Sequence, residues 1–374
     1  YFSEHLEEYS QPEELASEAK RSYVIYQPLG PIFHITPFNF PFWLIFKGVI
    51  PAIAMGNTII NKNPSICPQT GILAEEAFVE AGFVDGECQN LIVGQNHSEL
   101  IISSKHIRGV SFTGSSAGGS EIAALGGKHF KKTVMELGGS DPFIVLKDAD
   151  LEYAADQGWQ SRLRNGGQVC TAAKRFIVDE SVYEEFKQKL ISKVRNLKLG
   201  DPLSEDTQIG PLAKREGLLS TIDQVERAKK AGAKVLLGGA RPTDESLKKG
   251  HFYLPTILEV EEGNPVTKEE TFGPVFALIK FKAGDEQEAI RIANDTEYGL
   301  AAAIFSKDEA RAEELAREVE AGYLAINQLA TSGSSVPSGG VKNSGFGREN
   351  GRYGAHEFVN IKTVWIGKTP EPKK

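Results

Sequence analysis

The stretch PIFHITPFNFPFWLIFKGVIPAIAMGNTIINK, residues 31–62, decides the fold. Its first part, 32–35, is a short apolar run, and 58–61 is a second one with β-branched content. Between them 41–55 is apolar nearly throughout, which predicts a largely buried helix entered at a proline. Strands without a polar face, separated by a helix, belong to a parallel sheet covered on both sides. The same alternation continues outward, with helices expected at 69–81, 98–104 and 117–125. Strands are expected at 91–93, 110–112 and 134–137.

Upstream, 1–20 reads as helix interrupted near Ser10-Gln11-Pro12, and 22–27 as a strand with one wet face. Downstream, Gly138-Gly139-Ser140-Asp141-Pro142 marks the best domain boundary. A second α/β alternation follows, with strands expected at 143–146, 175–178, 234–237, 275–280, 302–305 and 323–326. Its helices are expected at 151–163, 182–196, 215–231, 286–294 and 310–319. Gly and Ser in 333–354 predict a long loop, and FVNIKTVWI at 358–366 returns to a strand that needs a sheet edge, such as a partner subunit's.

Composition narrows the function. The chain has 374 residues, 25% charged and 40% hydrophobic, with net charge −8, which is ordinary globular composition. No basic stripe offers a nucleic-acid footprint. The longest apolar run, 38–55, is broken by Pro41, Lys47, Gly48 and Pro51, so no membrane span is expected. Three cysteines, at 67, 88 and 170, form no disulfide framework and suit a reducing, cytoplasmic setting. Zinc-protease, CxxC, Walker A and GxSxG motifs are absent, so no metal site is expected. Gly345-Phe346-Gly347 with Gly351 mimics a dinucleotide fingerprint but follows no expected strand.

Four places carry chemistry. Phe112-Thr113-Gly114-Ser115 closes a strand and opens a helix, so Ser115 and the first helical N–H groups suit a phosphate, or simply cap the helix. Cys170, in NGGQVCTAA, has glycines before it and small residues after it, leaving room for a substrate carbon at a nucleophilic thiol; the alternative is an inert buried cysteine. Glu136 ends an apolar strand, where burial would raise its pKa toward that of a base working near neutrality. Asn39, at a strand-to-helix joint, either donates to a developing oxyanion or caps the helix.

Together these motifs resemble the aldehyde dehydrogenase superfamily. PFNFP, GNTIINK, FTGS, ELGG, GQVC, EETFGPV and GVKNSGFGRE occur in the family's order from about Ser22 to Ile366. ELGGSDPFIVLKDADL, GQVCTAAKRFIV and HEFVNIKTVW look most like the succinate-semialdehyde dehydrogenase branch. The resemblance implies an α/β fold with a Rossmann-like NAD(P)-binding domain, an α/β catalytic domain and a small β oligomerisation element. The implied boundaries are 1–21 for a residual helical segment, 22–28 for an oligomerisation strand and 29–137 for an NAD(P) domain lacking the family's first stretch. The catalytic domain then takes 138–340, and the loop and strand of subunit association 341–374.

The resemblance also implies roles. Cys170 is the nucleophile, Glu136 the general base, and Asn39 with the Cys170 N–H the oxyanion hole. NAD or NADP would meet Phe38, Lys62, Asn63, Ser65, Gly114, Ser115, Leu137, Glu270 and Phe272. Lys62-Asn63-Pro64-Ser65 lacks the acidic residue that repels a 2′-phosphate in many NAD-specific members, so NADP is admitted. Arg164 matches an arginine that binds the substrate's distal carboxylate, and Lys47 aligns with a second; Arg162 and Ser332 are further candidates. The expected reaction is oxidation of a small aldehyde, succinic semialdehyde first, then glyceraldehyde, lactaldehyde or a broad range. A cofactor-independent cysteine esterase and an inactive binding protein are the rivals, and a homodimer or homotetramer is implied.

Overall fold

A computed structural model describes residues 1–368, which divide into two compact units. The first comprises Tyr1–Glu136, Ser332–Gly339 and the chain from Gly345 onward; the second comprises Leu137–Thr331 and Gly340–Ser344.

Unit 1 opens with helix α1 (Phe2–Ser10). Pro12 stops it, and the expected continuation of the helix is instead strand β1 (Glu13–Leu15), antiparallel to β2 (Arg21–Pro28). Then come β3 (Ile32–Ile35), α2 (Pro41–Ala54), β4 (Ile59–Lys62), α3 (Pro68–Glu80) and β5 (Cys88–Asn90). The strand expected at 91–93 therefore lies one step earlier, where Cys88 is buried beside Ile59, whereas Ile92 is 66% exposed. The series closes with α4 (Ser98–Ser103), β6 (Gly109–Thr113), α5 (Ser116–Lys128) and β7 (Lys132–Glu136).

Strands β3 to β7 make a parallel sheet in the order β7-β6-β3-β4-β5. Ile32, Ile45, Val49, Ile59, Phe78 and Val134 knit its strands to α2 and α3. Because β3 pairs with β4 on one side and β6 on the other, the order in which strands are added switches from one side of β3 to the other. Such a switch leaves a crevice at the carboxyl ends of the strands.

Unit 2 starts with β8 (Asp141–Val145), α6 (Leu151–Leu163), β9 (Ala173–Asp179), α7 (Tyr183–Arg195) and α8 (Arg215–Lys230). It continues through β10 (Lys234–Leu237), β11 (Thr256–Glu259), α9 (Pro265–Lys268), β12 (Val275–Phe281), α10 (Glu286–Asn294), β13 (Tyr298–Gly299), β14 (Ala301–Phe305), α11 (Glu309–Ala316), β15 (Tyr323–Ile326) and β16 (Val341–Lys342). Seven of these strands form one sheet, β10-β11-β12-β9-β8-β14-β15, parallel except at β10. Phe143, Val145 and Phe176 face one core, Ile144 and Ile177 the other, the period-two pattern of a sheet buried on both faces.

The expected long loop at 333–354 contains β16, then β17 (Gly345–Phe346) antiparallel to β7, and α12 (Gly351–Ala355). At Gly345, φ is +111° and a Cβ would run into Met135 O, so glycine is required there. Finally β18 (Val359–Ile366) pairs along its whole length with β2 of its own chain, giving the sheet β1-β2-β18. Among the described residues no helix is long and apolar enough to cross a membrane.

Candidate active site

In unit 1 the expected residues gather at the carboxyl ends of adjacent parallel strands. Register puts Ile35 beside Lys62 and Phe112, and Thr113 beside Glu136. Phe38 and Asn39 lie in the turn after β3. The cap of α2 is Phe40, with no side-chain capping bond, so Asn39 is not the helix cap.

Lys62 ends β4 and is 6% exposed; burial pulls its pKa below the usual lysine value, and its Nζ lies 3.4 Å from Asn63 O. Asn63 departs from expectation, because its side chain turns inward. Its Oδ1 accepts from Asn61 Nδ2 at 2.7 Å and from Thr36 Oγ1 at 3.1 Å, while its Nδ2 donates to Thr70 Oγ1 at 2.6 Å. That amide shapes the loop rather than facing a ligand, and Ser65 beyond it is exposed.

After β6, Gly114 donates its N–H to Glu136 O at 3.0 Å, and a Cβ there would crowd the Phe112 ring at 2.6 Å. Ser115 caps α5, its Oγ accepting from Gly118 N at 3.3 Å. The hydroxyl proton and the first turn of α5 still suit a phosphate, because capping uses only the oxygen as acceptor. With Lys62 at the end of β4, on the far side of β3 from β6, these residues fit a dinucleotide.

Glu136 ends β7 and is 5% exposed. Its Oε2 lies 3.3 Å from Lys47 Nζ, and the same ammonium lies 2.7 Å from Glu349 Oε2. Burial pushes the Glu136 pKa up, Lys47 pulls it down, and the Glu349 charge pushes it up again; the net direction is upward. One cation between two buried carboxylates neutralises only one of them, so the group favours holding a proton. Lys47, expected to meet a substrate carboxylate, is 6% exposed and engaged with this pair. Glu349 was not foreseen: it follows Gly345-Phe346-Gly347-Arg348 in a stretch that reads as loop, and nothing local to it signals a carboxylate partner 213 positions away on Glu136.

In unit 2, Cys170 follows a kinked turn (Arg164–Gly167) in which Asn165, Gly166 and Gly167 have φ of 51°, 64° and 82°. A Cβ on Gly167 would run into Gly273 O, so this glycine lets the 270–274 loop lie against the loop that carries the thiol. Cys170 is half-exposed. Cys88 is buried, and burial pushes its thiol up to about 12, which leaves it inert.

Glu270 accepts the Gly139 N–H at 3.2 Å and lies 3.7 Å from Lys174 Nζ; burial raises its pKa. A Cβ on Gly138 would run into Glu270, which accounts for that glycine. Phe272 stands half-buried in the same loop, and buried Leu137 donates its N–H to Ser344 O at 3.0 Å.

Arg162, expected as a further substrate candidate, turns to backbone carbonyls. It is 0% exposed; its Nε donates to Val275 O at 2.6 Å, and one terminal nitrogen to Thr271 O at 2.7 Å and to Gly273 O. The guanidinium braces the backbone of the 271–275 segment. Arg164, two residues on, is exposed, and Ser332 in unit 1 is half-buried.

The sequence profile of the aldehyde dehydrogenase family matches residues 1–364. A probable succinate-semialdehyde dehydrogenase [NADP(+)] of Synechocystis sp. is 42% identical over 367 residues, covering 98% of this chain and 80% of that protein. An aldehyde dehydrogenase of Paenarthrobacter nicotinovorans is 41% identical, with 98% and 80% covered. Among solved structures, succinic semialdehyde dehydrogenase from Streptococcus pyogenes in complex with NADP+ superposes with a TM-score of 0.94 at 37% identity, with 98% of this chain and 80% of that one covered.

Proposed function

The chain belongs to the aldehyde dehydrogenase family, and from that premise we propose that it oxidises succinic semialdehyde, or a similar small carboxylate-bearing aldehyde, to the acid. NADP is the preferred acceptor and NAD the second. The observation that carries this reading is Cys170, a half-exposed thiol in a loop whose positive-φ glycines give it room. Relatives named as NADP-dependent succinate-semialdehyde dehydrogenases support the substrate and cofactor. The absence of a carboxylate in 62–65 agrees with a 2′-phosphate.

The chemistry follows from the residue types. The Cys170 thiolate adds to the aldehyde carbon, giving a thiohemiacetal whose oxyanion accepts from the Cys170 N–H and the Asn39 amide. Bound NADP or NAD supplies the acceptor for the hydride. Loss of that hydride leaves a thioester on Cys170. Glu136, held with a raised proton affinity, takes a proton from the water that attacks the thioester, and the thiolate departs with the acid released. Lys62, Gly114 and Ser115 would hold the adenosine and pyrophosphate portion, and Glu270 and Phe272 the nicotinamide portion. Arg164 would receive the distal carboxylate. The unpaired side of β18, with Ile361 and Trp365 59% and 74% exposed, is the proposed seam of a homodimer or homotetramer.

The test is a panel of aldehydes against NADP and NAD, read as reduced cofactor, for the wild type and Cys170→Ala. Succinic semialdehyde with NADP should give the highest kcat/KM, and the alanine variant none. Undiminished turnover by that variant refutes the mechanism; a better substrate without a carboxylate refutes the proposed substrate.

A further inference from the structure

Lys174 has no part in the mechanism above, yet it is one of the most deeply buried charges in unit 2. It sits in β9, flanked by Ala172, Ala173 and Phe176, and is 1% exposed. A buried ammonium is costly unless every N–H finds an acceptor. Here Nζ donates to Val169 O at 3.2 Å and to Cys170 O, and lies 3.7 Å from Glu270 Oε1. Its neighbour Arg175 is equally buried but turns elsewhere, to Ser140 O, Ile292 O and Ala293 O, each at 2.7 Å. Of these two cations Lys174 is the one that engages the carbonyls of Val169 and Cys170, sharing Val169 O with the Ala172 N–H at 3.2 Å.

Those two carbonyls matter because of peptide geometry. Val169 C=O and Cys170 N–H belong to one planar unit and point in opposite directions, and no cis peptide occurs among the described residues. An ammonium bonded to Val169 O thus sets the direction of the Cys170 N–H. It also draws electron density toward the carbonyl oxygen, which makes that N–H a stronger donor. The second bond, to Cys170 O, holds the following peptide, so both planes flanking the Cys170 Cα are fixed. Space for this is tight: a Cβ on Gly139 would sit 3.1 Å from Cys170 O and 2.6 Å from Asp141 Oδ1.

We infer that Lys174 is a positioning residue for the oxyanion hole: its ammonium fixes and polarises the Val169–Cys170 peptide so that the Cys170 N–H meets the oxyanion. This rests on the reading of Cys170 as nucleophile. The competing account gives Lys174 the single task of neutralising Asp141 and Glu270, whose charges both favour its protonated form.

Two cofactor-free reactions of Cys170 separate the accounts. With p-nitrophenyl acetate the thiolate adds to the ester carbonyl, an oxyanion forms and collapses, nitrophenolate leaves and the acyl group stays on sulfur. With iodoacetamide the thiolate displaces iodide at a tetrahedral carbon and no oxyanion forms. Lys174→Met, folded by circular dichroism, should slow the nitrophenolate burst by roughly tenfold or more, up to the ~10²-fold loss that deleting an oxyanion donor outright brings. Measured at a pH that ionises the thiol in both proteins, so that the charge attraction between the ammonium and the Cys170 thiolate drops out of the comparison, its iodoacetamide rate should stay that of the wild type. Parallel loss in both reactions, or no loss in either, overturns the inference. If Lys174→Met does not fold, Lys174→Gln, neutral but still able to donate to one carbonyl, is judged by the same ratio of rates. Cys170→Ala is the control for the underlying reading: a burst that survives in it shows that the nucleophile is misassigned, a different result from a burst unaffected by Lys174.

Discussion

Lys47 in unit 1 and Lys174 in unit 2 are both buried and both close to a proposed catalytic group, yet they hold opposite kinds of partner. Lys47 lies between the carboxylates of Glu136 and Glu349, at 3.3 and 2.7 Å. Lys174 donates to the carbonyls of Val169 and Cys170 and has one carboxylate, Glu270, at 3.7 Å. An ammonium between carboxylates competes with protons, so it sets the pH at which a base works. An ammonium whose hydrogen bonds go to carbonyls, with its carboxylate farther off, sets where a peptide points. One residue type thus tunes proton affinity in one unit and backbone direction in the other.

The sharpest way to break this contrast is to remove the group that Lys47 serves. Glu136→Gln should keep a first burst of one equivalent of reduced cofactor and slow the following steady state by on the order of 10²–10⁴-fold, as loss of a general base does. Rapid-quench measurement of the two phases checks it; equal loss in both would show that Glu136 does not act at deacylation.

Lys47→Met should have a smaller effect with a distinctive pH signature. The ammonium holds the Glu136 pKa down against burial and the Glu349 charge. Without it that pKa rises further, and the acid limb of the deacylation profile moves to higher pH. A displacement of about one unit lowers the rate on that limb roughly tenfold. The oxyanion-dependent burst with p-nitrophenyl acetate should be unaffected. A profile that keeps its position would place Lys47 in packing alone.

The smallest effect concerns Asp141, a counter-charge of Lys174. Burial pushes this carboxyl from 3.8 up to about 7, more than Lys174 and Arg175 pull it down. The folded state therefore holds a proton that the unfolded state releases. Its contribution to stability is complete below about pH 4 and is lost as pH rises to about 7. Asp141→Asn, neutral throughout, should flatten the decline in urea-unfolding free energy across that window. An unchanged slope would assign the pH dependence to other groups.

Much of unit 1 was legible because its signals are local. Apolar runs without a polar face mark the parallel strands, and Gly114-Ser115 marks the turn into α5. Glu136 could be placed in a buried strand from Val134, Met135 and Leu137 alone. The failures share a cause: each depends on a partner distant in sequence. Strand β1 exists only because β2 lies beside it, and β17 because β7 does. Lys47 and Arg162 look like cations available to a substrate until their buried acceptors are seen. Lys174 gave no such signal: it precedes the strand expected at 175–178 and stands beside a second cation, Arg175, and only β9 starting at Ala173 puts it in the buried sheet.

The sequence by itself determined the α/β alternation, the glycine-rich setting that makes Cys170 the candidate nucleophile and the motif order that identifies the family, because period, glycine placement and residue chemistry are properties of short segments. Only the tertiary structure decided which buried charges meet. Glu349 reaches Lys47, and Lys174 reaches the carbonyls beside Cys170, because a charge taken out of water must find a partner and the fold alone determines which one is within reach.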